Sequence, residues 1–209
     1  IFINMLKTIN NTIVDSRERE VFLRGVNLGG WLMMEGYILY GRNIAEKIFK
    51  KEFKKRYGQK ELDNFSGFYR NNFIQEIDFK NISSLNFNCV RLPFNFSILE
   101  DGRIDILKKA VRFCEKYNIY CILDMHAAPG CQNEDWHADS DGRSELWTSK
   151  LYQQRFFELW ELLADTFKDS ETVAGYDVLN EPVIKTQDAG KILRKLYMDK
   201  SANRRKGNR

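Results

Sequence analysis

Asn180-Glu181-Pro182 is the triplet with the clearest capacity for chemistry in this chain. It follows the apolar run Val178-Leu179, so a carboxylate stands where an extended segment leaves an apolar interior. Desolvation raises a carboxyl pKa and suits the group to hand over a proton. Strict alternation sends Asn180 and Glu181 to opposite faces, so both reach one cleft only if the strand breaks or bulges. Pro182 has no N–H and stops further ladder pairing. A second cluster lies on the run Ile119 to His126, where Ile122, Asp124 and His126 share one face. A third is Arg91, which shares a face with Cys89 and Pro93. An arginine in an apolar strand needs a carboxylate. Asp124 is a structural partner of the right kind; alternatively, Arg91 holds a catalytic carboxylate ionised and oriented. The loop from Ala127 to His137 then combines amides, carboxylates and an indole. That mixture suits sugars, which offer hydroxyls to polar groups and C–H faces to rings. Asn27, Gln132, Asn133, Trp136 and His137 are the candidate contacts, and Trp31 and Trp147 either line the same cleft or fill the core.

These groups need elements to position them. Thr12 to Asn27 reads as a hairpin with a polar turn at Asp15–Glu20, feeding a first strand that ends at Asn27. Asn43 to Tyr57 shows helical charge patterning, with Lys50, Lys51, Lys54, Lys55 and Arg56 on a solvated face. Asn72 to Leu85 repeats apolar residues near helical spacing and runs into a second strand, Asn88 to Pro93. Ile104 to Tyr117 places Ile104, Leu107, Val111 and Cys114 on one side before a third strand, Ile119 to His126. A helix from about Ser149 to Phe167 presents Phe156, Leu159, Trp160 and Leu163, and Val173 to Leu179 is a fourth strand. Short apolar strands alternating with longer amphipathic helices predict βα units on a parallel sheet. Asn27, Arg91, His126, Asn180 and Glu181 gather at strand C-terminal ends, where ligand sites of such sheets and barrels lie.

Composition narrows the function classes. Hydrophobic residues make up 43% and charged residues 30%, so the chain builds a core rather than staying disordered. The formal charge is +4, but five positive charges and no acid fall in the last ten residues, leaving 28 basic against 29 acidic elsewhere. A near-neutral body predicts no nucleic-acid partner. No apolar run approaches the roughly 18 residues of a membrane helix, and neither a membrane partner nor a signal peptide is expected. Secretion and a cytoplasmic location stay open, because the sequence opens on Ile1 with Met5 close behind. Cys89, Cys114, Cys121 and Cys131 form no CxxC pair and read as free thiols. His126, His137, Asp135, Asp139 and Asp141 crowd one loop, but against a calcium-loop template His137 and Thr148 occupy the first and twelfth positions, so no metal is expected. There is no GxSxG, GxGxxG or GK[ST] motif, and no cofactor is expected.

Four motifs in register carry a family resemblance: Arg24-Gly25-Val26-Asn27-Leu28-Gly29-Gly30-Trp31, Arg91-Leu92-Pro93-Phe94, Leu123 to Gly130 with Gln132-Asn133, and Leu179-Asn180-Glu181-Pro182. In order and spacing the sequence resembles glycoside hydrolase family 5, in its exo-1,3-glucanase and β-glucosidase-like branch. The resemblance implies an α/β fold of the (β/α)8 TIM-barrel type and retaining hydrolysis of β-glucans or β-glucosides. By position Glu181 matches the acid/base, Asn180 the ligand of the sugar 2-hydroxyl, Arg91 the arginine beside the nucleophile, and His126 the histidine ending strand three.

The resemblance also implies a nucleophilic glutamate on a late strand, and nothing after Pro182 reads as strands five to eight. The expectation is therefore a barrel truncated to about its first four βα units over residues 1–185, with a partial helix and a basic, disordered tail over 186–209. Retention requires two carboxyl groups roughly 5 to 5.5 Å apart. Glu35, Asp124 and Glu134 are stand-ins near the cleft, and none matches the family's nucleophile. A chain carrying only the acid/base is expected to be inactive alone and to self-associate through open barrel edges. The alternative is a non-catalytic sugar-binding protein or an incomplete gene fragment.

Overall fold

The computed structural model describes residues 5–204, with side chains described to residue 198. The expected basic tail, from Lys200 onward, lies outside the described side chains. The chain opens with a hairpin, β1 (Lys7–Ile9) and β2 (Thr12–Val14), joined by Asn10-Asn11 with Asn10 at φ 53°. The expected hairpin paired Thr12–Val14 with the segment after the polar turn; only a bridge, Val14 to Glu20, forms there. Asparagine tolerates the left-handed turn conformation, so the tighter two-residue connection takes the strand.

The main sheet has four parallel strands in the order β3 (Gly25–Asn27), β4 (Cys89–Asn95), β5 (Tyr120–Ala127) and β6 (Val173–Asp177). Each strand lies beside its predecessor in sequence. That order is the arc of a (β/α)8 barrel; a doubly wound sheet reverses order partway across. The central pair, β4 and β5, is buried along almost its whole length. Near-continuous apolar sequence in both strands is what a sheet covered on both faces demands.

The crossovers follow one local recipe. Helix α3 (Glu76–Ser84) begins with a capping box between Gln75 and Asp78 and is followed by Asn86 at φ 61°. After a one-turn helix, α4 (Ser97–Glu100), α5 (Ile104–Lys116) is followed by Asn118 at φ 55°. A left-handed asparagine just past a helix end satisfies the last carbonyls and turns the chain back, so both helices feed β4 and β5 within a few residues. Helix α6 (Lys150–Phe167) starts on Ser149, whose hydroxyl accepts from Tyr152 N. Its Phe156, Leu159, Trp160, Leu163 and Phe167 join the main core, along with Leu107, Ala110 and Cys114 of α5.

Two helical features depart from the sequence pattern. Between α1 (Glu46–Tyr57) and α3 lies α2 (Gln59–Asn72), where no helix was expected, and the predicted single helix over Asn72–Leu85 is divided at Phe73–Gln75. The Gln75–Asp78 box starts a new helix there, because it satisfies N–H groups that a continuous helix would bond within itself. Helix α7 (Gln187–Arg204) extends well past the expected segment, and its Ala189 and Leu196 are buried in the main core. The four cysteines are free and buried, and burial pushes the Cys89 thiol up to about 12.

Candidate active site

A cavity of about 290 Å³ opens at the C-terminal ends of the four parallel strands. Asn27 from β3, Arg91 and Pro93 from β4, and His126 from β5 line its floor. Asn180 and Glu181, just beyond β6, and Trp136 and His137 from the loop after β5 form its walls. Glu35, Tyr37 and Ile38, from the segment after β3, complete it.

Beneath the floor, Asp124 and Asp177 face each other across the β5–β6 ladder. Two carboxylates in register repel, and Arg91 sits between them. Its Nη2 lies 3.0 Å from Asp124 Oδ2 and 2.8 Å from Asp177 Oδ2, and its Nε also donates to Asp177, at 3.0 Å. The same Nη2 donates to Asn180 Oδ1 at 2.8 Å. That bond fixes which end of the Asn180 amide is oxygen, so Nδ2 is turned to His126 Nε2, 3.5 Å away. His126 Nδ1 is 2.7 Å from Asp124 Oδ2 and donates to it, leaving Nε2 as an acceptor toward the cavity. Burial pushes Asp124 above the ordinary carboxylate range, opposed by the His126 hydrogen bond and by Arg91. Its Oδ1 is buried with no hydrogen-bond partner among the described residues.

Glu181 stands at the rim, its side chain 68% exposed, with Oε2 3.5 Å from His137 Nε2. Its backbone is left-handed, at φ 42°. A non-glycine residue held there costs on the order of 1–3 kcal/mol and persists only where its surroundings over-determine it. This turn resolves the alternation problem: β6 ends at Asp177, and the break lets Asn180 and Glu181 face the same cavity. Opposite them, Glu35 is 5% exposed and accepts from Gly30 N and from the Tyr37 hydroxyl. Burial raises the Tyr37 phenol, helped by the negative charges of Glu35 and Glu181. Tyr37 and Trp136 meet edge to face at 5.8 Å, forming an aromatic lip.

Seven of the residues expected to carry catalysis or bind sugar line this cavity: Asn27, Arg91, His126, Trp136, His137, Asn180 and Glu181. Three expected as substrate contacts lie elsewhere. Trp31 is 3% exposed and donates its indole N–H to Arg70 O, because that face of the segment packs inward against α2. Gln132 and Asn133 are buried under the loop, and their amides are consumed by backbone carbonyls. Trp147 is likewise a core residue, donating to Gln132 O. Among the stand-in carboxylates, Glu35 reaches the cavity, Asp124 lies below it, and Glu134 pairs with Lys185 at the surface. Asp177 and Tyr37 escaped the sequence reading. Asp177 was findable in principle, as the one acid inside the extended run Val173 to Leu179 and hence a candidate partner for Arg91. Tyr37 sits in an irregular segment with no periodic signal.

The fold and this site together define an arc of a (β/α)8 barrel with a polar, carboxylate-bearing pocket at its strand C-terminal ends. A family model, Cellulase (glycosyl hydrolase family 5), matches residues 49–202, and the chain belongs to that family. A beta-xylosidase of Phanerodontia chrysosporium is 37% identical over 187 residues, covering 85% of this chain and 39% of that protein. A probable glucan 1,3-beta-glucosidase A of Emericella nidulans is 30% identical, covering 77% of this chain and 42% of that protein. Endoglucanase C of Acetivibrio thermocellus is 28% identical, with 78% and 40% covered. The chain thus spans about two fifths of the length of these relatives. In structure it resembles the rutinosidase of Aspergillus niger, with a TM-score of 0.69 at 16% identity, covering 86% of this chain and 59% of that one. At that identity the likeness speaks to the fold alone.

Proposed function

We propose that this chain carries the acid/base half of a retaining glycosidase acting on β-glucans or β-glucosides. The observation that carries the reading is the convergence of Glu181, Asn180 and His126 on one cavity above Arg91. Glu181 protonates the leaving-group oxygen; its exposure at the rim leaves it open to solvent for the return of the proton. Asn180, its amide oriented by Arg91, hydrogen-bonds a hydroxyl of the sugar, and Trp136 and Tyr37 offer ring edges and faces to sugar C–H groups. Neither a metal nor a cofactor is required. The nucleophilic carboxylate is supplied by a later strand, as the family resemblance implies; Glu35, the other carboxylate lining the cavity, accepts from Gly30 N and the Tyr37 hydroxyl and does not match that nucleophile.

The 209-residue chain is accordingly expected to hydrolyse an aryl β-glucoside little or not at all while binding β-linked oligosaccharides. Measurable hydrolysis that disappears in Glu181→Gln would show that the nucleophile is within the chain and refute this division of labour. A second reading, sugar binding without catalysis, is favoured by the aromatic lip alone. It predicts that Glu181→Gln changes neither affinity nor rate in any longer form of the protein.

A further inference from the structure

The β5–β6 ladder ends at the pair Asp124 and Asp177, three residues short of Asn180. One backbone bond continues past it, from Asn180 N to Met125 O at 3.3 Å, and the Gln132 side chain supplies the next link. Its Nε2 donates to His126 O at 2.7 Å and to Asn180 O at 2.9 Å, so one primary amide ties the end of β5 to the turn after β6. Its Oε1 accepts from Ala128 N at 3.1 Å, which holds the amide in its own loop. The backbone carbonyl of Gln132 accepts from Trp147 Nε1 and from Val183 N. Asn133 extends the pattern by one residue: its Nδ2 donates to Glu181 O at 2.9 Å, and its Oδ1 accepts from Asp135 N. The carbonyls of Asn180 and Glu181 are thus taken by consecutive amide side chains. Gln132 is fully buried, and neither residue lines the cavity.

We propose that Gln132, assisted by Asn133, is a positioning residue for Glu181: the paired amides hold the left-handed turn that aims the acid into the cavity. The physical need is plain. Glycine would take φ 42° without strain, but the position requires a carboxylate. The strain must be opposed by bonds from neighbouring elements: β5 holds Asn180 N through Met125 O, and this loop holds the Asn180 and Glu181 carbonyls. This rests on the reading of Glu181 as the acid/base, but its first test needs no turnover, so failure of either can be told apart.

The test is Gln132→Met in the 209-residue chain, read by the NMR intraresidue amide-to-α proton NOE of Glu181. In the left-handed region these protons lie closer than at ordinary negative φ, so a turn that relaxes weakens the signal by about threefold. Trp147→Phe is the control, because it removes a bond to the same loop without touching the Asn180 or Glu181 carbonyls. The expected result is a weakened signal in Gln132→Met and an unchanged one in Trp147→Phe. If Gln132→Met does not fold, Asn133→Asp, which keeps the acceptor for Asp135 N but puts an oxygen against Glu181 O in place of the donor, carries the same test. A folded variant that retains the full signal, or equal weakening in Trp147→Phe, overturns the proposal. In any form of the protein that turns over an aryl β-glucoside, Gln132→Met should lower kcat about 100-fold at unchanged KM, since Gln132 does not meet the sugar. A rise in KM with kcat intact would assign it to substrate binding instead.

Discussion

Asp139 holds together two parts of the chain that sequence separation keeps far apart, and replacing it tests the logic of the fold. Helix α1 begins after Ala45, which offers no side-chain cap. The missing cap comes from Asp139, 92 residues away, whose Oδ1 accepts from Lys47 N at 2.7 Å. Its Oδ2 accepts from Asn95 Nδ2 at 3.0 Å, and Asn95 is fully buried. In Asp139→Ala the lost cap costs about 1 kcal/mol, and the Asn95 amide, left with only its weak bond to Met33 Sδ, adds roughly 1–3 kcal/mol. Relief of the buried charge offsets part of this, giving a net loss of about 2–3 kcal/mol. For a chain of this size each kcal/mol moves Tm by about 2–4 °C, so circular dichroism melts at pH 7 should shift down by roughly 5–10 °C. Asp141→Ala, which removes an exposed carboxylate from the same loop, should stay within about 0.5 kcal/mol of the parent. Equal melting of the two variants would refute the capping argument.

The same residue carries a pH signature. Burial holds the Asp139 acid above its ordinary 3.8, opposed by the bonds from Lys47 N and Asn95. The folded chain therefore binds this proton more tightly than the unfolded one. Its contribution to stability falls as pH rises from about 3.8 through the raised value, and is constant above. Asp139→Asn removes that slope, so the stability difference between variant and parent should move in the variant's favour across this window. Urea titrations at a series of pH values measure it, and a difference that moves the other way sinks the assignment.

Three further outcomes follow from the geometry. Gly130 sits at φ 75°, and an added Cβ would lie 2.4 Å from the Tyr152 ring, so Gly130→Ala should destabilise the chain by about 2 kcal/mol or more in urea unfolding. Arg91→Lys keeps the charge but cannot donate at once to Asp124, Asp177 and Asn180; glycoside affinity should fall about tenfold or more by calorimetric titration, and parent-like affinity would deny Arg91 its orienting role. The outer strands β3 and β6 have one ladder neighbour each, so analytical ultracentrifugation should detect self-association at micromolar concentration, whereas a monodisperse, cooperatively melting monomer would contradict open-edge pairing.

Local pattern determined a good deal of this protein. The near-continuous apolar runs of β4 and β5 admit little but buried parallel strands. The asparagines after α3 and α5 mark where those helices turn back. The polar residues ending each strand had to meet at one end of the sheet, so Arg91, His126, Asn180 and Glu181 were legible as neighbours before any coordinates. Tertiary structure decided what each neighbour does. Gln132 and Asn133 looked suited to touch sugar and Trp31 either to touch it or to fill the core, yet Trp31 packs against α2 while Gln132 and Asn133 spend their amides on the carbonyls of His126, Asn180 and Glu181. Asp139 fitted one position of a calcium-loop pattern that failed at His137 and Thr148, and is the cap of a distant helix. The division has one physical cause. Periodicity and turn chemistry act over a few residues and are written in sequence order, whereas a buried polar side chain takes its role from whichever unpaired donor or acceptor the folded chain brings within about 3 Å.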